Sequence, residues 1–220
     1  MHVLFKMNKK YLILVFGILV LVSLIYFVGS IYWDISTASY NGGYMEFAFD
    51  TAINPYSIFF SSDGSKMFGI GATNQMIRVY TLSTPWLISS ATYDPTESFN
   101  PPDWGQDIFF NSDGTKFYYL ENTNELIYQY NLSMAWNVST ATYSSNFSIA
   151  TEEIGAGGLF INSDGENFFI VGGNDVLYQY SFSTPWDLSS ATFDNVNFSV
   201  GTEETDVSDL FLVLMEVIFI

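Results

Sequence analysis

Beyond residue 30 the chain alternates short apolar runs with polar turns, and no helical period is visible. One apolar run, Ile-Phe-Phe at 58–60, is followed by a Ser-Asp-Gly turn. Glycine is favoured where a tight turn requires a positive φ, so this pattern predicts a strand that ends in a hairpin. The nearly continuous apolar run at 116–120 predicts a strand that is covered on both faces. Together these patterns predict an all-β chain of short antiparallel strands.

The same sequence unit occurs three times at intervals of about 50 residues. Segment 58–93 aligns with 108–143 without a gap, and half of the aligned positions are identical. The third copy, 159–193, is one residue shorter in the loop after its second predicted strand. Four strands per unit of this length are typical of a β-propeller blade. A β-solenoid coil is shorter, and an immunoglobulin-like sandwich does not repeat its own sequence.

The repeats predict a partial β-propeller of about three four-stranded blades plus a half blade. Residues 33–40 match 86–93, so the chain enters at the outer strand of a half blade that precedes the first complete unit. An incomplete ring exposes apolar sheet faces, so we expect the chain to self-associate. The predicted units are a half blade at 31–56, blades at 57–105, 106–156 and 157–205, and the start of a further blade at 206–220.

Residues 211–220 do not continue the repeat. The preceding segment, 206–210, leads towards another apolar run of the kind that comes before Ser-x-Asp-Gly, but the chain stays almost wholly apolar instead. A back-translation of this tail, read two bases later, restores Phe-Ser-Ser-Asp-Gly. This indicates a frameshifted tail, and the alternative is a genuine apolar strand or a short membrane-associated segment.

Charge divides the chain into two zones. Three lysines lie within the first ten residues, whereas all 23 acidic residues lie at Asp34 or beyond, and the net charge is -17. This acidity excludes a nucleic-acid partner, because phosphate binding requires a basic surface. The absence of cysteine excludes disulfides and thiolate metal sites, and the single histidine, His2, precedes the repeats.

An uncharged apolar run occupies residues 11–28, between the two charge zones. At about 1.5 Å of rise per residue, a helix of this length approaches the roughly 30 Å thickness of a bilayer core. We therefore expect residues 1–30 to be a transmembrane signal anchor or a cleaved signal peptide. The lysines should stay cytoplasmic, which places the acidic repeats outside the cell, either tethered to the cell membrane or secreted.

Each repeat carries hydrophobic-Ser-x-Asp-Gly-x-Lys and then Tyr-x-Tyr-x-Leu-Ser-Thr-Pro-Trp-x-x-Ser-x-Ala-Thr, with small variations. This pattern resembles the YVTN/lactonase-like group of β-propeller repeats over roughly residues 33–211. The resemblance implies a propeller fold in a secreted or surface protein, and the group contains both enzymes and adhesins. Its lactonase-type enzymes hold a divalent metal with carboxylate and amide side chains. No such ligand set matches positions of this chain, so no catalytic, cofactor-binding or metal residue is assigned.

Several polar and aromatic residues recur once per repeat and are candidates for function. We interpret the recurring aspartates as turn residues that accept backbone N–H bonds, with metal binding as the alternative. The recurring tryptophans could form a surface for sugars, but we expect them to pack between blades. The two sets are Asp63, Asp113 and Asp164, and Trp86, Trp136 and Trp186.

Acidic pairs at Glu152-Glu153 and Glu203-Glu204 precede the first strand of a blade. They could bind calcium or a cationic ligand, although we interpret them as solvated loops. The Gly-Ala-Gly-Gly segment at 155–158 lacks the helix and lysine of a phosphate-binding loop and predicts a tight loop. Glycosylation sequons begin at Asn131, Asn137, Asn146 and Asn197.

Two functions remain open from the sequence. The first is a membrane-anchored or secreted binding scaffold that needs no cofactor and contacts a protein, a glycan or the cell envelope. The alternative is a propeller hydrolase or lyase that uses a divalent cation such as calcium. An enzyme is expected to break the repeat symmetry where it assembles its site, whereas these repeats differ little outside their loops. The sequence therefore favours the scaffold.

Overall fold

The computed structural model describes residues 55–71, 76–202 and 209. Within these ranges the chain forms twelve β-strands in three four-stranded antiparallel sheets, with strands in chain order in each sheet. The fold is all-β, as predicted, and the three sheets match part of a β-propeller.

The first sheet contains β1 (Pro55–Phe60), β2 (Lys66–Gly71), β3 (Ile77–Leu82) and β4 (Ala91–Phe99). The second sheet contains β5 (Gly105–Phe110), β6 (Lys116–Glu121), β7 (Leu126–Leu132) and β8 (Ala141–Ser148). The third sheet contains β9 (Ala156–Ile161), β10 (Asn167–Gly172), β11 (Val176–Phe182) and β12 (Ala191–Ser199). A short 3₁₀ helix precedes each fourth strand, at Ile88–Ser90, Val138–Thr140 and Leu188–Ser190.

The first strands of the three sheets lie together, because β5 contacts both β1 and β9. We call β1, β5 and β9 the inner strands, since this arrangement places them nearest the axis that the sheets share. They begin at Pro55, Gly105 and Ala156, one or two residues before the boundaries that the repeats indicate.

Side chains from adjacent sheets fill two apolar clusters. Phe68 of the first sheet packs with Ile108 and Phe117 of the second sheet. Tyr118 of the second sheet packs with Leu159 of the third sheet. The second strands β2 and β6 are buried along almost their whole length. The nearly continuous apolar run at 116–120 therefore predicted β6 correctly, as a strand covered on both faces.

The Ser-Asp-Gly turns join each inner strand to the second strand of its sheet, as predicted. The Asp63 Oδ1 atom accepts the backbone N–H of Ser65 at 2.9 Å, and this hydrogen bond is the main cause that lowers the pKa of Asp63 to about 2. Asp113 accepts the backbone N–H of Thr115 at 3.0 Å, and Asp164 accepts that of Glu166, in its own turn, at 2.9 Å. The three aspartates therefore stabilise turns.

The single-residue difference between repeats lies in a hairpin turn, as the alignment predicts. The turn between β6 and β7 comprises residues 122–125, whereas the equivalent turn between β10 and β11 comprises only 173–175. The strands on either side keep their pairing because the turn absorbs the deletion.

Several predicted segments lie outside the described residues. They are the membrane segment at 11–28, the half blade at 31–56 apart from Pro55 and Tyr56 in β1, and the tail at 206–220 apart from Asp209. None of the helices in the described ranges has the length and apolar character needed to cross a bilayer.

Each recurring tryptophan has a left-handed backbone that the sequence did not predict. The φ angles of Trp86, Trp136 and Trp186 are 64°, 60° and 61°. The backbone N–H of Trp136 donates to the carbonyl of Gly114 at 2.8 Å, and the indole ring lies over that glycine. A Cβ atom at Gly114 would lie 2.2 Å from the ring, so a larger residue cannot fit without displacing the tryptophan.

We expect Gly114→Ala to destabilise the fold more than Gly155→Ala does. The φ angle is 70° at Gly114 and 76° at Gly155, but a Cβ atom at Gly155 would have no neighbour within 4 Å. Gly155→Ala therefore costs only the backbone strain, about 1 kcal/mol. Gly114→Ala adds displacement of the indole, for a total of about 3 kcal/mol. Urea denaturation of both variants measures the difference, and equal losses would contradict the steric role of Gly114.

Candidate functional site

The carboxyl ends of the inner strands surround an open apolar concavity of about 200 Å³. Phe59 and Phe109 line it, with their rings in an edge-to-face contact at a centroid separation of 5.3 Å. The tryptophans Trp136 and Trp186 also line it. One exposed serine from each Ser-Asp-Gly turn adds a hydroxyl group, and these serines are Ser62, Ser112 and Ser163. Aromatic surface and hydroxyl groups therefore share one recess.

Two of the tryptophans contact the preceding sheet, as predicted. The Lys66 Nζ atom donates to the carbonyl oxygen of Trp136 at 3.1 Å, and the Lys116 Nζ atom donates to that of Trp186 at 2.8 Å. The Tyr118 hydroxyl donates to the same Trp186 oxygen at 2.7 Å. Each lysine thus connects its own sheet to the next one along the chain.

Trp86 differs from the other two tryptophans. Its side chain is 58% exposed, and its ring lies 5.4 Å from Phe60 of its own sheet. The expectation of packing between blades therefore holds for Trp136 and Trp186, while Trp86 is largely on the surface.

Asp107, on inner strand β5, connects all three sheets. Its Oδ1 atom accepts the Ser57 hydroxyl of β1 at 2.5 Å and the backbone N–H of Ile108 at 2.8 Å. Its Oδ2 atom accepts the backbone N–H of Leu159 of β9 at 2.8 Å. The side chain is buried, and this burial raises the pKa of Asp107 to about 7 against the opposing effect of its hydrogen bonds, while the charge of Asp209 adds to the rise.

The sequence analysis missed Asp107. The aligned positions, each immediately before an apolar run, carry Ser57, Gly158 and Asp209. A carboxylate therefore occurs at only two of the four aligned positions, and in the second sheet it faces the neighbouring inner strands. That departure from the repeat was the available signal.

Glu153 is not part of a solvated loop, and the prediction is wrong for this residue. Its side chain is 0% exposed, and its Oε1 atom accepts backbone N–H groups of Ile154 at 2.9 Å and Asn174 at 3.2 Å. Its Oε2 atom is buried without a hydrogen-bond partner. Burial raises the pKa of Glu153, and the nearby charge of Glu125 adds to the rise. The carboxylate is buried because it binds the backbone of two turns, whereas Glu152 is only half-buried.

Glu125 fixes the same connection between the second and third sheets. Its carboxylate accepts the backbone N–H of Gly155 at 2.6 Å and that of Ala156 at 3.3 Å. Gly155 lies in the turn with φ 76°, but Ala156 already begins β9. The predicted tight loop at 155–158 is therefore correct for Gly155 alone, because the small residues after it pair with β10.

The asparagines of the glycosylation sequons lie at a helix cap or at exposed strand positions. Asn137 is the N-cap of a 3₁₀ helix, where its side chain accepts the backbone N–H of Ser139. Asn131, Asn146 and Asn197 are exposed on strands β7, β8 and β12. The pair Glu203-Glu204 lies outside the described residues. Over 55–71, 76–202 and 209, acidic and histidine side chains form no group of three with metal-site geometry.

Comparison with known proteins identifies a fold but no family. The chain matches no protein-family model. It also matches no curated protein. Among solved structures, a protein from Lactobacillus plantarum has a TM-score of 0.51 at 11% identity, over 67% of this chain and 42% of that one.

Two further structures come from Bacteroides and are named as candidate 6-phosphogluconolactonases. The B. fragilis protein has a TM-score of 0.50 at 13% identity, over 66% of this chain and 39% of that one. The B. uniformis protein has a TM-score of 0.51 at 12% identity, over 67% of this chain and 41% of that one. This chain therefore spans about two fifths of the structures that it matches. At these identities the likeness is one of fold, a lactonase-like β-propeller.

We expect Asp107 to make stability fall as pH rises from about 4 to about 7. In this range the native carboxyl keeps a proton that the unfolded chain has lost, so the free energy of unfolding decreases with pH. Relative to Asp107→Asn, the wild-type protein should lose more than about 1 kcal/mol across this range in urea denaturation. Relative to Asp113→Asn, the wild-type protein should instead gain stability as pH rises, because hydrogen bonds lower the pKa of Asp113. Parallel pH profiles for wild type and Asp107→Asn would contradict the assignment.

Proposed function

We propose that this chain is an extracytoplasmic binding scaffold that holds a glycan in the aromatic concavity at the carboxyl ends of the inner strands. The observation that carries the proposal is the lining of that concavity, where the tryptophans Trp136 and Trp186 lie beside three exposed turn serines.

The chemistry of the lining suits a sugar ring. The apolar C–H face of a pyranose packs on an aromatic ring, and the hydroxyl groups at its edge require donors and acceptors. Ser62, Ser112 and Ser163 supply hydroxyls that serve as both. A largely apolar recess with a few convergent polar groups is the usual form of a small-ligand site.

The proposal also includes the position of the repeats outside the cytoplasm. Residues 11–28 are apolar enough to anchor the chain, and the lysines before them favour an orientation with the acidic repeats outside. A tethered scaffold of this kind meets glycans and proteins of the cell envelope.

We expect Ser163→Trp to abolish glycan binding, because the added indole fills the recess without removing any core contact. The full chain, in a zwitterionic detergent without a sugar headgroup, is screened on an array of glucose, galactose and N-acetylglucosamine oligosaccharides. Binding is then measured by calorimetry.

Trp136→Ala should weaken glycan binding at least about tenfold, equivalent to about 1.4 kcal/mol, in the same measurement.

The matched control is Trp104→Ala, which removes a tryptophan that is 44% exposed and does not line the concavity. This variant should bind as the wild type does. If no oligosaccharide binds at millimolar concentration, or if Ser163→Trp binds normally, the glycan proposal is wrong.

A lactonase-like hydrolase is the second candidate, and the structural comparisons favour it over the scaffold. Two solved structures of the same fold are named as candidate 6-phosphogluconolactonases. Asp107 adds a carboxyl group with a pKa of about 7 on an inner strand, where the first and third sheets carry Ser57 and Gly158. Such a group suits general base catalysis, in which it takes a proton from the water that attacks the lactone carbonyl and returns that proton to the ring oxygen when the C–O bond breaks. The carboxylic acid that forms then ionises and releases one proton.

We expect a hydrolase of this type to open glucono-δ-lactone faster than the spontaneous reaction does, with release of one proton per ring opened. A pH indicator follows the rate with and without calcium chloride. Asp107→Asn should lower the catalysed rate about 100-fold, in line with the loss of a general base. Asp113→Asn, which alters only a turn, should retain the activity. A wild-type rate equal to the spontaneous one would eliminate this candidate.

A further inference from the structure

One carboxylate at the junction between the first and second sheets binds both a lysine and an asparagine. Lys66 begins β2, Glu97 lies on β4, and Asn137 is the N-cap of the 3₁₀ helix that precedes β8. The Lys66 Nζ atom forms an ion pair with the Oε2 atom of Glu97. The Asn137 Nδ2 atom donates to the Oε1 atom of the same carboxylate at 3.2 Å. A shared partner therefore brings the amine and the amide together.

A second contact holds the lysine amine beside Asn137. The Nζ atom of Lys66 also donates to the carbonyl oxygen of Trp136, the residue before Asn137, at 3.1 Å. The Lys66 and Glu97 side chains are 21% and 22% exposed. Phe68, on the same face of β2 as Lys66, is 0% exposed, and its ring centroid lies 6.3 Å from that of Trp136. The polar groups thus meet at the margin of an apolar cluster, where water has limited access.

The amide of Asn137 is polarised for attack on its carbonyl carbon. Its Oδ1 atom accepts the backbone N–H of Ser139 at 3.1 Å and the Ser139 hydroxyl at 2.7 Å. Two donors on a carbonyl oxygen stabilise the negative charge that develops there when a nucleophile adds. The Nδ2 atom, which is the leaving group, is hydrogen-bonded to the carboxylate that also contacts the lysine. A nucleophile, an acid–base group and a polarised amide are therefore in contact with one another.

We propose that Lys66 and Asn137 form an intramolecular isopeptide bond, with Glu97 as the general acid and base. Glu97 takes a proton from the Lys66 ammonium group, and the lone pair of Nζ attacks the Cγ atom of Asn137. Glu97 passes its proton to Nδ2 and takes a second one from Nζ. The Cγ–Nδ2 bond then breaks, and ammonia leaves and carries the last proton from Glu97 away as ammonium. No group is oxidised or reduced, and no co-reactant is needed.

The bond would fasten the first sheet to the second. The chain contains no cysteine, so a disulfide cannot supply such a link. A cross-link here closes a loop of roughly 70 residues, and a loop of that length strongly restricts the unfolded chain. The proposal concerns the junction between the sheets and does not depend on a ligand in the concavity.

The junction between the second and third sheets has an equivalent lysine without the asparagine. Lys116 begins β6 as Lys66 begins β2, and it donates to the carbonyl oxygen of Trp186 at 2.8 Å. The residue after this tryptophan is Asp187, which caps its 3₁₀ helix as Asn137 does. Asp187 has no amide nitrogen, so ammonia cannot be lost there.

The same junction has a serine at the position of Glu97. Phe99 of β4 and Phe147 of β8 pair with equivalent residues of the third strands. Glu97 and Ser145 each lie two residues before these phenylalanines. The Ser145 hydroxyl is buried without a hydrogen-bond partner. Lys116 is therefore a matched control within the molecule, because it makes the same backbone contact without the acid–base group.

Mass spectrometry of the full chain in detergent tests the bond, because its formation removes one ammonia and lowers the mass by about 17 Da. The wild-type chain should show this loss relative to Lys66→Arg, after correction for the substitution. Glu97→Gln should abolish the loss, since an amide cannot carry the proton. Lys116→Arg should keep the loss in full. A wild-type chain without the loss would overturn the proposal, and so would a loss that persists in Glu97→Gln.

Tryptic peptide mapping locates the link. Trypsin does not cleave after a lysine whose amine has become an amide, so the wild-type chain should resist cleavage after Lys66 and yield a branched peptide that contains Asn137. Cleavage after Lys116 should proceed normally. Asn137→Ser keeps a residue that caps the helix, and it should remove the branched peptide. Complete cleavage after Lys66, or a link from Lys66 to another residue, would overturn the proposal.

Discussion

The structure depends on apolar contact between sheets rather than within them. Each second strand is buried on both faces, so a single sheet leaves one face exposed unless a neighbour covers it. Burial of a large apolar side chain contributes roughly 1.5–3 kcal/mol, and a phenylalanine such as Phe117 or Phe168 obtains this only through an adjacent sheet. Stability therefore arises at the junctions and grows with the number of sheets, as in other repeat proteins.

The polar contacts define how neighbouring sheets are oriented. Asp107 accepts hydrogen bonds from both neighbouring inner strands, and the two lysines reach the tryptophan carbonyls of the following sheets. Apolar packing alone tolerates sliding between sheets, but a hydrogen bond at each end of the junction does not. The concavity between the inner strands therefore has a definite shape. The two candidate functions use different ends of these strands, since Asp107 lies near the amino end of β5 and the concavity lies at the carboxyl ends.

The repeat revealed the sheets, the strand order and the turn chemistry, because these features depend on local side-chain periodicity and glycine position. Asp63 and its equivalents stabilise turns as expected, and the deleted residue lies in the expected hairpin. The left-handed tryptophans were not predictable, since their conformation depends on contact with a glycine that lies two strands earlier in the sequence. Asp107 and Glu153 were missed or misassigned because their burial results from backbone groups of other sheets and turns, which residue type alone does not reveal.

The contact between each turn glycine and its tryptophan restricts how the repeat can change. The indole of Trp136 occupies the volume that a side chain at Gly114 would need, so a larger residue at Gly114 does not fit while the tryptophan is present. Variation that preserves folding is thereby directed to the hairpin turns at the opposite end of the sheets, where one copy already differs in length from another. An insertion in these turns could therefore create a new binding specificity without disturbing the contacts between the sheets.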